Sequence, residues 1–304
     1  MLSVTLAVLA ALANATSSVL QRKAARDEPE GETSGLRMML NLARKPVWCA
    51  GIAAIAVGFL LQAGALATGA MSLVQPILVV ELAFTLLLAA AIFHNNLHVR
   101  EWAAIAGMTG GISLLLYSLQ PSSGDRYGAS AIWWAVGIVI ILMLVATAIS
   151  AGLRSSHDRR AAYFGIATGM GFGLTAALVS GITANNAAAG ISGVVTGWQT
   201  YLLIVLGPGF FFLLQKTMQA GRLITSQPAL TLSNPIVAVG FGIGVFGEHV
   251  RGGGWLAGAF LGAVLVGGCT ALLARSPLLQ DHGADSRASA DQGAPRSAPD
   301  AGPA

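Results

Sequence analysis

The chain has 304 residues, 55% hydrophobic and only 10% charged, with a mean hydropathy of +0.70. Soluble domains carry about 25% charged residues, so the composition excludes a soluble globular protein and points to a membrane-embedded one. The net charge of +4 decides little, because what matters is which loops hold it. Cys49 and Cys269 lie far apart in apolar runs and show neither a disulfide framework nor metal-ligand spacing.

The first apolar run is Leu2–Leu20. Ala13-Asn14-Ala15 resembles a signal-peptidase site, but no basic segment precedes the run and Arg22, Lys23 and Arg26 follow it. The expectation is a retained helix. Within the loop Gln21–Lys45, the stretch Leu36–Leu42 is apolar but too short to cross ~30 Å of hydrocarbon, and reads as interfacial. Runs of spanning length follow at Val47–Leu66, Met71–Phe93, Trp102–Leu119, Ala131–Gly152, Ala161–Gly181, Thr200–Gln215, Leu223–Gly247 and Trp255–Ala274. The sequence thus predicts an all-α polytopic protein of nine spans. Residues 276–304 are rich in Ala, Asp, Ser, Gly and Pro and read as a disordered tail.

A pattern recurs in the two halves. Phe59-Leu60-Leu61-Gln62, Gly69, Gln75-Pro76 and Trp102 reappear at closely matching spacing as Phe212-Leu213-Leu214-Gln215, Gly221, Gln227-Pro228 and Trp255. This reads as an internal duplication of roughly 150 residues. Residues 1–120 form the first repeat, 121–160 the linking span with its loops, and 161–275 the second repeat. One odd span between two four-span units inverts the second relative to the first, a construction common in secondary transporters.

Alternating the loops separates the charges. One side holds only Arg126 and Arg251; the rest of the 17 Lys and Arg fall on the other. The positive-inside rule then puts the N-terminus outside and the C-terminus in the cytoplasm, in a plasma (inner) membrane.

Glu81 is the charged residue deep in a span, and an exposed charge there costs about 2.5–3.5 kcal/mol on insertion scales. It reads as a proton, cation or substrate contact, against a plain structural carboxyl bonded to a neighbouring helix. Counting from the prolines, Ser233 and Asn234 stand opposite it in the second repeat, and Asn14 and Thr16 of the first span complete a candidate pathway. Gln62 and Gln75 near one face, with Gln215 and Gln227 near the other, read as symmetric mouths. Prolines 76, 208, 228 and 235 read as helix breaks, Pro208 interrupting the seventh span within Gly207-Pro208-Gly209. Gly242-Ile243-Gly244-Val245-Phe246-Gly247 fits a dinucleotide pattern but lacks its strand and acidic residue, and His94 with His98 lacks the Glu of a zinc hydrolase. No nucleophile–base constellation appears, so the expectation is no enzyme, no cofactor, no bound metal and no nucleic acid. The partners expected are a small-molecule or ion substrate, membrane lipid and, as an open alternative, a second copy in a homodimer.

Gln75-Pro76 and Gln227-Pro228 opening the third helix of each repeat, with Asn234-Pro235 running to Gly247-Glu248-His249-Val250, resemble the EamA-like repeats of the drug/metabolite transporter superfamily. The resemblance covers about residues 1–275 and implies an exporter of small organic metabolites or drug-like solutes. The nine-span plan is similar to that of the NIPA-like magnesium transporter branch, which implies divalent-cation transport instead. This chain has Gly58-Phe59 where that branch has an acidic residue, and His94-Asn95-Asn96-Leu97 where it has Asn-Glu. A non-transporting membrane scaffold is the third reading.

Overall fold

The structure, a computed structural model, describes residues 1–26, 45–93, 97–122, 124–125, 129–220 and 223–275. The interfacial stretch Leu36–Leu42, residues 94–96 and the tail from 276 lie outside the described residues. The described chain is helical: α1 (Leu2–Arg26), α2 (Pro46–Thr68), α3 (Met71–Leu78), α4 (Glu81–Ile92), α5 (Val99–Leu119), α6 (Ala131–Leu153), α7 (His157–Thr196), α8 (Trp198–Ala220), α9 (Leu223–Gly244) and α10 (Trp255–Leu273). Among the described residues, eight stretches are long and apolar enough to cross a membrane, with α3 and α4 together forming one of them, Met71–Ile92. The protein is therefore a helical membrane protein. The 22 residues of α9 also have spanning length at ~1.5 Å per residue. It carries Ser226, Gln227, Thr231, Ser233 and Asn234 and packs against α3, α6, α7, α8 and α10.

The packing follows small residues. Gly165, Gly169 and Gly173, one turn apart on α7, lie against the Ser226, Leu230 and Asn234 carbonyls of α9, so a Cβ at any of them would meet backbone. Gly58 of α2 receives the Asn14 side chain of α1, and Gly171 of α7 receives Phe210 of α8. Helices α5 and α10 cross where a Cβ on Gly111 would lie 3.0 Å from the Gly262 carbonyl oxygen, and one on Gly262 would lie 2.7 Å from that of Gly111. On either side of this crossing Gly107 meets Cys269 and Ser118 meets Gly258. Partners ascend in one helix as they descend in the other, so the pair is antiparallel. Gly258, Gly262 and Cys269 also follow Gly107, Gly111 and Ser118 at one constant offset, so each contact maps onto its reciprocal.

The connections gather at two ends. At one end Ser3 lies against Gly69, Ser122 pairs with His249, and Trp134 makes ring contacts with Trp198, Phe241 and Phe246. At the other end Lys45 donates to the Ala24 carbonyl, Phe164 lies against Gly152, and Arg154, Arg159 and Arg160 lie on or beside the α6–α7 turn. The sixth predicted span ended at Gly181, but α7 runs further because the Ala-rich stretch past it stays helical. The chain doubles back at Gly190 (φ 62°, ψ −149°), bringing Gly193 and Gly197 against Asn185.

Three predicted breaks need correction. Helix α8 passes through Pro208 without interruption, and α9 passes through Pro228 and Pro235. A proline removes one hydrogen bond, which a helix held by neighbours or lying in open space can tolerate; a Cβ on Gly207 or Gly209 would meet nothing within 4 Å. The break occurs after Pro76 instead. Val79 (φ −59°, ψ −25°) and Val80 (φ −60°, ψ −19°) take 3₁₀ geometry between α3 and α4. Val79, Val80 and Leu82 donate to Pro76, Ile77 and Val79, three residues back rather than four. The Gln75 and Leu78 carbonyls are thereby passed over by their usual α-helical donors.

Candidate functional site

Glu81 is the first residue of α4, so its carboxylate sits at the positive end of that helix's dipole. The Asn14 side-chain amide donates to Glu81 Oε2 at 3.3 Å, joining the first span to the third. Gly58 fixes this arrangement: without a side chain, α2 lets Asn14 lie flat against it, while a Cβ there would collide with Asn14 Oδ1. Thr85 Oγ1 donates back to the Glu81 carbonyl at 2.8 Å and adds a second polar group to the same helical face. A titratable carboxyl at a helix junction, half-buried and held by a neutral amide, can accept a proton or a cation without first breaking a salt bridge.

Two other predicted residues show unmet polarity. Gln75 is 1% exposed, and neither its amide oxygen nor its amide nitrogen has a hydrogen-bond partner among the described residues. The Asn234 Oδ1 atom is likewise buried and unpartnered. Such atoms cost about 1–3 kcal/mol each when left unsatisfied, and they lie on α3 and α9, two helices that pack together. Ser233 is otherwise engaged: its hydroxyl donates to the Ala229 carbonyl at 2.7 Å and its Cβ faces Gly169. The Thr16 hydroxyl donates to the Leu12 carbonyl at 2.8 Å.

The structure thus brings Glu81 and Asn14 together, while Asn234 packs at the α7–α9 crossing. The glutamine mouths do not assemble as expected. Gln75 is sealed in the core because α3 is surrounded by α1, α2, α5, α7 and α9. Gln215 is exposed on α8, and Gln62 and Gln227 are half-buried. Sequence reasoning met Glu248 only as part of the Gly247-Glu248-His249-Val250 resemblance and gave it no role; its buried carboxylate accepts from the Met71 and Ser72 N–H groups at 2.6 and 3.0 Å and from the Ser72 hydroxyl. Nothing in the sequence ties position 248 to position 71. The Gly165, Gly169, Gly173 stripe did carry a signal, small residues at every fourth position.

Fold and site define a polytopic helical membrane protein with a half-buried polar pair at a broken span. The chain belongs to the family of the uncharacterized protein Cgl0250/cg0304 of Corynebacterium glutamicum, with which it shares 30% identity over 257 residues, 84% of this chain and 88% of that protein. No protein-family model matches the chain, and no solved structure matches it.

Proposed function

We propose that the chain is a secondary transporter of the plasma membrane, an exporter of a small organic solute in the manner of the drug/metabolite transporters, with Glu81 in its pathway. The observation that carries this reading is the Glu81–Asn14 pair: a titratable group in an apolar bundle, at the break in a span, hydrogen-bonded across helices. Intramembrane ionisable groups at such places mark ion, proton and substrate routes.

The reciprocal contacts of α5 with α10 support nine spans in two inverted repeats. Antiparallel helices that exchange equivalent contacts are related by a two-fold axis perpendicular to them, which in a membrane lies in its plane. The gathering of the basic-poor connections at one end supports an outer N-terminus, since among the described cations only Arg251 lies at that end.

Purified protein in proteoliposomes tests the reading. A pH gradient should drive flux of a solute from a panel of small organic cations, zwitterions and neutral metabolites. Flux of Mg²⁺ without any organic solute would establish the divalent-cation reading instead. No flux of either, with full tolerance of Glu81→Leu, would leave a scaffold.

A further inference from the structure

The Glu248 carboxylate is 2% exposed, although it stands in the connection between α9 and α10 and reaches a helix of the other half. The N–H groups it accepts from, Met71 and Ser72, open α3, whose own preceding residue Ala70 supplies no side-chain cap. A helix start leaves such donors free, and a carboxylate there is favoured by the helix dipole. Gly242 makes room for it, since a Cβ at that position would strike the carboxylate.

The segment around Glu248 is tied down along its length. Ser122 N–H donates to the His249 carbonyl at 3.0 Å, and Arg251 N–H donates to the Leu119 carbonyl at 2.8 Å. Gly124 lies directly against the backbone of 246–248. Gly247 (φ 63°) and Gly253 (φ 71°) bracket the segment in the left-handed region, where glycine turns without strain. Beside it opens a hollow of about 500 Å³ lined by Gly124, Asp125, Trp133, Gly247 and His249.

We infer that residues 248–251 form a latch closing one end of the pathway: Glu248 holds α3 against α9, and its release lets α3 swing and opens a route from the hollow to Gln75. The inference rests on the transport reading and supplies the part that seals it. Three features distinguish a latch from a fixed cap. The bonds join opposite halves of the chain. The 3₁₀ link at Val79-Val80 uncouples α3 from α4, so the short helix can tilt alone. Gln75 lies one turn below Ser72 on the same face of α3, its amide without a partner among the described residues.

Cysteine accessibility tests this without any flux. Val74, fully buried on α3, is replaced by cysteine in a full-length chain whose Cys49 and Cys269 are changed to alanine. Membranes opened to both sides are treated with a water-soluble maleimide. With Glu248 present the new thiol should react slowly. In E248Q, where an amide N–H₂ meets the Ser72 N–H, it should react roughly tenfold faster, as expected from loss of a charge-assisted bond that biases two states. S72A should raise the rate less, in the same direction. Paired cysteines at Ser122 and His249, whose antiparallel bridge suits a disulfide, should return E248Q to the slow rate when oxidised. A folded E248Q with an unchanged rate overturns the latch. If E248Q does not fold, a native rate in S72A overturns it. Absence of transport with the predicted labelling would instead refute the transport reading and leave the latch standing.

Discussion

Replacing Asn14 by alanine removes the amide that holds Glu81, and the size of the loss follows from the geometry. A hydrogen bond to a charged group contributes about 1.5–3 kcal/mol in soluble proteins. At 3.3 Å the Asn14–Glu81 bond is longer than the usual N–H···O range, and interhelical bonds in membranes average nearer 0.6 kcal/mol, with about 1.7 as the upper end. The expected coupling is therefore about 1 kcal/mol. Asn14→Ala also empties the space in front of Gly58, so the single variant should lose more than the coupling, and a double-mutant cycle with Glu81→Leu isolates the bond. Reversible unfolding of the four proteins in mixed micelles measures it. Coupling below roughly 0.3 kcal/mol, within the usual additivity error, would mean that the pair does not form in the folded protein. Glu81→Gln then separates structure from transport. Gln keeps an oxygen for the Asn14 amide but cannot bind and release a proton. Its stability should stay within about 1 kcal/mol of the native protein, pH-driven flux should vanish, and exchange of solute for solute should persist. Native pH-driven flux in Glu81→Gln refutes a coupling role for Glu81.

Gly111→Leu should destabilise the protein by about 1–3 kcal/mol through overpacking against Gly262 and Val266, whereas Gly110→Ala, whose Cβ meets nothing within 4 Å, should be neutral or slightly stabilising in a thermal melt. Gln75→Leu removes two unmet buried polar atoms and should stabilise the fold by about 1–3 kcal/mol while lowering flux; flux unchanged would make Gln75 a bystander. Cysteines at Ala129 and Ser192 should react with an impermeant thiol reagent from outside intact cells and one at Ser156 should not; the reverse pattern would invert the orientation.

The helical, membrane-embedded character was legible because a membrane span is set by one variable, the length of an apolar run, and the predicted runs recur as helix among the described residues, Met71–Phe93 as the two helices α3 and α4 and most of the others close to their predicted limits. The exception, the extension past Gly181, fell where the chain leaves the apolar stretch and Ala-rich propensity decides alone. The Glu81–Asn14 contact was legible in kind, since a lone carboxyl in hydrocarbon must find a polar partner, and Asn14 stood among the candidates; the duplication pointed instead to Ser233 and Asn234. The breaks were misread because proline marks only a missing donor. Whether the helix parts depends on the packing around it, open at Pro208, close against the α7 glycines at Pro228 and Pro235, and relieved by a 3₁₀ link only after Pro76. Glu248 was illegible for a different reason: its partners are backbone N–H groups, which every residue carries.

The two halves differ in a way that bears on which part moves. In the first half α1 presents a polar side chain, Asn14, to a glycine of α2, and that side chain continues to Glu81. In the second half the roles are exchanged: α7 presents Gly171, and Phe210 of α8 fills it. The residue that matches Glu81 when both are counted from their Gln-Pro pairs is Ser233, whose hydroxyl is spent on its own helix. The second half is further closed by three glycines of α7 set against carbonyls of α9, a contact too tight to slide without losing many atom–atom contacts at once. Its counterpart, the meeting of α1 with α3 and α4, is divided by the 3₁₀ link and carries the titratable group. On the transport reading, the α7–α9 pair is then the frame and the third span the moving part. Protonation at Glu81 would act at the lower side of the link and the Glu248 latch at the top of α3, so one hinge at Val79-Val80 lies between the two controls.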